Sequence, residues 1–190
     1  MKKRQITSLC FFKRKQIKKS KNGTNIQLND LQCAIIEDVK EYVLSHWKLN
    51  DLHGLPHWQN VAKNGLMLAK ETNANPFVTQ LFAYLHDSCR IDDGADFEHG
   101  ERASELVSKL KDTLLKSLSS QEHKQLYLAC KYHTTELRLN DATIDTCFDA
   151  DRLDLVRLGI LLNPERMATK TGCQLAEEYS MTQINKRYIK

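Results

Sequence analysis

Apolar residues recur every three to four positions along most of the chain, a spacing typical of amphipathic helices. Leu31 and Ile35 begin one such series, and Val78, Leu81 and Leu85 form a shorter one. No stretch alternates residue by residue as a strand would, and no segment repeats. We therefore expect an all-α protein. The predicted helices cover about residues 30–47, 56–71, 78–85, 97–110, 112–118, 120–133, 141–158 and 176–184.

Length and composition predict a single core. The chain has 190 residues, 41% hydrophobic and 27% charged, as in soluble globular proteins. This length is too short for two well-packed domains. Composition nevertheless changes along the chain. We predict a basic, disordered N-terminal arm over 1–28, a helical domain over 29–163, and a peripheral C-terminal segment with a helix over 164–190.

The formal charge of +4 is unevenly distributed. Nine of the 28 Lys and Arg residues lie within residues 1–22, so the rest of the chain has 19 bases against 24 acids. A net acidic domain is a poor match for nucleic acid, which requires concentrated positive charge. We expect no nucleic-acid binding by the folded domain. For the arm, attachment to an anionic membrane or RNA is the alternative to a solvated tail.

The cysteines and the short apolar run near the N-terminus favour a cytoplasmic protein. The six cysteines include no CxxC pair, so a disulfide or zinc-finger framework is not expected. We interpret most of them as small, buried apolar residues in a reducing cytoplasm. The run from Leu9 to Phe12 is too short for a membrane span. A homodimer is left open as the state of assembly.

The first candidate for chemistry is His86-Asp87, which ends the apolar series Val78–Leu85. An imidazole can ligate one metal ion while the adjacent carboxylate bridges two. Histidine and carboxylate ligands without thiolate suit one or two divalent ions, Mn, Fe, Mg, Co, Ni or Zn, in an open site that activates water. The other candidates of this kind are His57, His99, His133 and Asp151.

These residues stand in an order that resembles the HD-domain superfamily of metal-dependent phosphohydrolases, whose pattern is H…HD…D on a helical bundle. His57-Trp58 resembles the first histidine of that pattern, Leu85-His86-Asp87 its doublet, and Ala150-Asp151-Arg152-Leu153 its last aspartate. The match extends over about residues 50–160. The resemblance implies a single all-α HD domain.

The same resemblance implies a ligand set. His57, His86, Asp87 and Asp151 correspond to the ligands of the first metal, and Asp149 is the rival for the last position. Members with two metals have two further histidines, which here resemble His99 in Glu98-His99-Gly100 and His133 in Tyr132-His133-Thr134.

A narrower resemblance is to a small group of bacterial HD proteins, and it implies no particular substrate. It is carried by four motifs: His53-Gly54-x-x-His57-Trp58, His86-Asp87-x-x-Arg90, Asp96-x-x-His99-Gly100, and Asp149-Ala150-Asp151-Arg152-Leu153-Asp154-Leu155.

The function implied is hydrolysis of a small-molecule phosphomonoester or phosphodiester, nucleotide-like, by a metal-activated water. One alternative is a di-iron HD oxygenase with the same ligands. The other is a non-catalytic module that binds metal or nucleotide.

Other polar residues have candidate roles beside the ligands. Asp87 is expected to orient the water, and Arg90 and Arg102 to bind the phosphate through their planar guanidinium groups. Alternatively, both arginines pair with nearby acids. Weaker candidates for substrate contact or support of a ligand are His53 and Lys131, together with Asp149 if it is not a ligand.

Overall fold

The computed structural model describes residues 27–188, with side chains up to 184, and every regular element in that range is helical. The all-α prediction is thus confirmed. The predicted arm lies almost wholly outside the described residues. The α-helices are α1 (Asp30–His46), α2 (Leu55–Thr72), α3 (Pro76–Leu85), α4 (His99–Lys109), α5 (Ser120–Tyr132), α6 (Ala142–Leu153) and α7 (Lys170–Tyr188), with 3-10 helices at Asp154–Leu158 and Pro164–Arg166.

Side-chain caps define where the helices begin. At α1 the cap is Asn29, because the Asn29 side chain accepts the Gln32 N–H (2.8 Å) and the Gln32 side chain accepts the Asn29 N–H (3.0 Å). Ser119 and Glu122 form the same reciprocal arrangement at α5. Pro56 lies in the first turn of α2, where its missing N–H costs nothing.

Helix α3 lies at the centre of the bundle. Each residue from Phe77 to Leu85 is buried, and α3 contacts α1, α2, α5 and α6. A helix that is apolar on all sides is expected only in such a surrounded position. Phe82 on α3, Trp58 on α2 and Phe148 on α6 are among the largest fully buried side chains. Because α3 is fixed on every side, the residue that follows it, His86, is held rigidly in the interior.

Of the predicted helices, one is not formed and another ends earlier than expected. Residues 112–118 form a series of turns and not a helix. The helix predicted over 141–158 ends at Leu153 and tightens into a 3-10 helix, which stops at Gly159 in the left-handed region (φ 76°). The tighter winding changes which side chains of this segment point in the same direction.

The C-terminal helix α7 is longer than predicted because its start is anchored inside the protein. The fully buried carboxylate of Asp149 accepts the N–H groups of Ala168 (2.6 Å) and Thr169 (2.8 Å) and the Thr169 hydroxyl (2.7 Å). Met167 and Ala176 are buried in the core.

Among residues 27–188, no helix is both long and apolar enough to cross a membrane.

Candidate metal centre

Six side chains from five parts of the chain converge beside the end of α3. They are His57 in the first turn of α2, His86 and Asp87 directly after α3, His99 at the start of α4, His133 just after α5, and Asp151 in the last turn of α6. Helix ends dominate this list because side chains there can turn inward across the bundle. The structure therefore brings together all six residues that the sequence resemblance implied as ligands.

The first group of donor atoms surrounds the Nε2 atoms of His57 and His86, which lie 3.1 Å apart. Asp151 Oδ1 lies 3.3 Å from His57 Nε2 and 3.6 Å from His86 Nε2. Both histidines are buried, whereas the Asp151 side chain is 23% exposed. The group is thus closed toward the core and open on the Asp151 side.

The second group surrounds the Nε2 atoms of His99 and His133, which lie 2.9 Å apart. Their approach depends on Gly100, since a Cβ atom there would lie 2.8 Å from the carbonyl oxygen of Cys130 and 2.9 Å from that of Lys131. Because residue 100 is a glycine, the start of α4 can lie against the end of α5. This contact explains the glycine of the His99-Gly100 motif.

Asp87 joins the two groups through its separate carboxylate oxygens. Oδ2 lies 3.6 Å from His57 Nε2 and 3.7 Å from His86 Nε2, while Oδ1 lies 3.1 Å from His99 Nε2 and 3.7 Å from His133 Nε2. One oxygen faces each pair of histidines. Each oxygen could therefore ligate a cation held by the pair of histidines that it faces.

All four histidines present the same nitrogen to the cluster. Each Nδ1 is directed away to an oxygen that can only accept: Asp154 Oδ2 for His57 (2.7 Å), the carbonyls of Phe82 and Ala83 for His86 (3.1 and 3.2 Å), the Asp96 carbonyl for His99, and the Cys130 carbonyl for His133 (2.8 Å). The proton of the neutral imidazole is therefore on Nδ1. The Nε2 lone pairs point inward, as in ligating histidines.

The donor set fits a metal ion. Lone pairs that face each other at 2.9 and 3.1 Å repel unless a cation or proton lies between them. Ligand atoms about 2.1 Å from one ion lie roughly 3 to 3.4 Å from each other, which matches these separations. Three groups of donors, namely His57–His86–Asp87, His86–His133–Asp151 and Asp87–His99–His133, each lie within 4.8 Å of one another and can hold an ion.

The two carboxylates give the site its negative charge. Burial acts to raise the pKa of Asp87 and Asp151, but their histidine neighbours outweigh it and hold both pKa values well below the usual range. For His57, burial acts to lower the pKa, yet hydrogen bonds to Asp151 and Asp154 raise it to about 9. Without metal, the His57 ring is thus doubly protonated at neutral pH, and it gains its inward lone pair only when the extra proton leaves. Burial lowers the pKa of His133, which favours its neutral form.

Two further predicted residues lie against the cluster. His53 Nδ1 is 3.1 Å from Asp87 Oδ2, and its side chain is 21% exposed at the same open edge as Asp151. Arg90 Nη1 is 3.6 Å from Asp87 Oδ1 and faces the ring of His99. The other Arg90 donors bond to the carbonyls of Gly94 (2.6 Å) and Asp92 (3.3 Å). Arg90 therefore braces the loop after α3.

Three candidates are occupied away from the cluster. Arg102 donates to the Cys89 carbonyl (3.0 Å) and pairs with the buried Asp96, so its donors are not directed at the donor atoms. Lys131 pairs with Glu101 at 2.8 Å. Arg102 and Lys131 line a separate pocket of about 500 Å³. Asp149 anchors α7, which leaves Asp151 as the aspartate of α6 that faces the histidines.

Asp154, which the sequence indicated only as a member of the motif from Asp149 to Leu155, also belongs to the site. Its carboxylate, 5% exposed, holds His57 Nδ1 from behind. The available signal was its spacing, because Asp154 follows Asp151 by three residues, about one helical turn. The change to a 3-10 helix at that point, which sets its direction, has no clear signature in the residues.

No protein-family model matches the chain, and no curated protein matches it. Among solved structures, a predicted HD superfamily hydrolase from an uncultured Thermotogales bacterium is similar, with 22% sequence identity and a TM-score of 0.65. The similarity covers 80% of this chain and 90% of that one. The chain therefore has the HD-domain fold, as the motifs predicted, and it carries a buried His/Asp cluster that can hold a metal.

Proposed function

We propose that this protein is a metal-dependent phosphohydrolase that acts on a small phosphomonoester or phosphodiester. The observation that carries the proposal is that four histidine Nε2 atoms point inward, two toward each carboxylate oxygen of Asp87. His57, His86, Asp87 and Asp151 would hold one divalent ion, and Asp87, His99 and His133 a second. Bound divalent ions lower the pKa of water and neutralise charge on phosphoryl oxygens, the two requirements of phosphate ester hydrolysis.

The substrate would enter on the side where Asp151 and His53 are partly exposed, because the remaining ligands are buried. His53 is suited to give a proton to the leaving oxygen. Its Nδ1 lies against Asp87 Oδ2, so Asp87 holds the ring, and the other ring nitrogen would face the ester. Arg90 would support this chemistry indirectly, by holding Asp87 and His99 in place.

The first test is metal content followed by activity. Protein purified without chelator is analysed for its elements and then assayed on a panel of nucleotides and phosphate esters with Mn²⁺, Mg²⁺ and Zn²⁺. His86→Ala should lose bound metal and activity. His46→Ala, at an exposed histidine of α1 outside the cluster, is the matched control.

A protein that binds no divalent ion and hydrolyses nothing after reconstitution would refute the proposal. So would a His86→Ala variant with unchanged metal content. The same elemental analysis, together with an assay of oxygen consumption, addresses the oxygenase alternative. That alternative predicts two equivalents of iron and consumption of oxygen.

The proton-donor role has its own test. His53→Gln should retain its metal and lose about 10²- to 10⁴-fold in kcat, the usual contribution of a general acid. The loss should be much smaller for a p-nitrophenyl ester, whose leaving group needs little help from a proton. An equal loss for good and poor leaving groups would exclude His53 as the acid.

A further inference from the structure

His57 is held on both sides of its ring. Nε2 faces the donor cluster, and Nδ1 donates to Asp154 Oδ2 at 2.7 Å, in the interior of the protein. A histidine that ligates a metal commonly gives its other N–H to a carboxylate, which sets the tautomer and the angle of the ring and strengthens the ligand. Asp154 has the position that this role requires.

Arg157 extends the contact. Residues three apart are eclipsed in a 3-10 helix, and Asp154 and Arg157 stand three apart in the 3-10 helix that follows α6. Arg157 Nε donates a hydrogen bond to Asp154 Oδ2 at 2.6 Å, so the same oxygen accepts hydrogen bonds from His57 and from the guanidinium. Two donors thereby fix this buried carboxylate in place.

The same guanidinium also reaches the loop before α2. Arg157 Nη2 donates to the carbonyl of Leu52, the residue that precedes His53. One side chain therefore connects Asp154, behind His57, to the backbone that carries His53. Within the residues that the structure describes, no other side chain is hydrogen-bonded to both of these places.

We propose that Asp154 and Arg157 form a positioning pair: Asp154 sets the ring of His57 for the metal, and Arg157 sets both Asp154 and the His53 loop. The part that concerns His53 rests on the proposed phosphohydrolase function. The part that concerns His57 does not, because it is a statement about metal binding alone.

For Asp154 we would measure Zn²⁺ affinity by calorimetry on the full chain after chelator treatment. Asp154→Asn keeps the shape of the side chain but removes its charge. It should weaken binding at the site that includes His57 by about 10- to 100-fold. The matched control is Asp145→Asn, at a buried aspartate within α6 whose carboxylate accepts the Leu139 N–H (2.7 Å) and no histidine N–H. This control should retain wild-type affinity.

A spectroscopic readout separates positioning from general loss of stability. In Zn²⁺-loaded protein the Nδ1 proton of His57 should give a downfield, slowly exchanging resonance in proton–nitrogen NMR spectra. Asp154→Asn should shift that resonance upfield and speed its exchange, whereas Asp145→Asn should leave it unchanged. Wild-type affinity together with an unshifted resonance in Asp154→Asn would overturn the assignment.

Arg157→Lys tests the second half, because an ammonium cannot hold Asp154 and Leu52 in the planar geometry of a guanidinium. Zn²⁺ affinity should fall less than tenfold, while kcat falls by at least tenfold with KM nearly unchanged. Unchanged kcat would overturn the link to His53. If the wild type binds Zn²⁺ but is inactive on every ester, the proposed function fails, and the His57 measurements still decide the role of Asp154.

Discussion

Replacing Gly100 by alanine should disrupt the second donor group and leave the first in place. The added Cβ would lie 2.8 Å from the Cys130 carbonyl oxygen and 2.9 Å from that of Lys131. Relaxed carbon–oxygen contacts are about 3.3 Å or longer, so the two helix ends must separate by roughly 0.5 Å. Backbone carbonyls cannot rotate away as a side chain can.

The size of this shift decides the outcome. Metal ligands tolerate displacements of about 0.2 Å, and a shift of about 0.5 Å between His99 and His133 exceeds that tolerance. Overpacking costs about 1–3 kcal/mol, and the better helix propensity of alanine returns up to about 1 kcal/mol. With one ion in each donor group, as proposed above, we therefore expect a folded protein, less stable by about 1–2 kcal/mol, that loses the ion of the second group.

Elemental analysis and urea unfolding of Gly100→Ala measure both effects. The control is Gly65→Ala in α2, where the added Cβ would lie 3.1 Å from Thr79 Cβ and 3.3 Å from Thr79 Oγ1, so a smaller shift relieves the contact and no donor residue takes part in it. That variant should keep its full metal content whatever its stability. If Gly100→Ala retains two metals at wild-type affinity, the role given to this glycine is refuted.

Three further predictions concern pH, the anchor of α7 and a helix cap. Because the pKa of His57 is about 9 without metal, Zn²⁺ must displace a proton from its ring. As pH rises, Zn²⁺ binding should tighten by up to tenfold per pH unit until about pH 9 and then level off. Calorimetry in two buffers should detect the released proton. In metal-free protein a rise in pH should instead lower the free energy of unfolding. The raised pKa of His57 stabilises the fold fully below pH 6.5, and this contribution is lost as pH rises through about 9, so the urea midpoint should fall across that window. Asp149→Ala removes the acceptor of three hydrogen bonds and should cost about 2–4 kcal/mol in urea unfolding while metal content stays unchanged, so loss of metal would contradict the anchor role. Ser119→Ala should cost about 1 kcal/mol through the lost cap of α5, and a thermal melt with no shift would count against the cap.

The sequence allowed the helical architecture and the six clustered residues to be predicted because both depend on local order. Apolar spacing predicted each α-helix of the described chain to within a few residues, apart from the early end of α6 and the longer α7. The order of His57, His86-Asp87 and Asp151 carries the resemblance to the HD pattern, and the structure places these residues side by side.

What the sequence could not predict depends on contacts between distant segments. Asp149 lies two residues before Asp151, yet it binds backbone 19 and 20 residues further on. The role of Asp154 follows from a change of helix type and from a partner 97 residues away. Arg102 has several acids near it in the sequence, and the packing of the loop before α4 makes Asp96 its nearest partner. Each of these choices is made by tertiary geometry, which a single sequence does not encode locally.

The spread of the donor residues along the chain also bears on folding. His57 and His86 are 29 residues apart, and His99 and His133 are 34 apart. An unfolded chain gathers such distant groups only against loop-closure entropy, so an ion bound to the native cluster would act as a noncovalent crosslink. At a free concentration 100 times Kd, each ion would stabilise the fold by about 2.7 kcal/mol. Chelation should then lower the melting temperature of the whole helical bundle, because the crosslinked segments α2 to α6 make up most of its core.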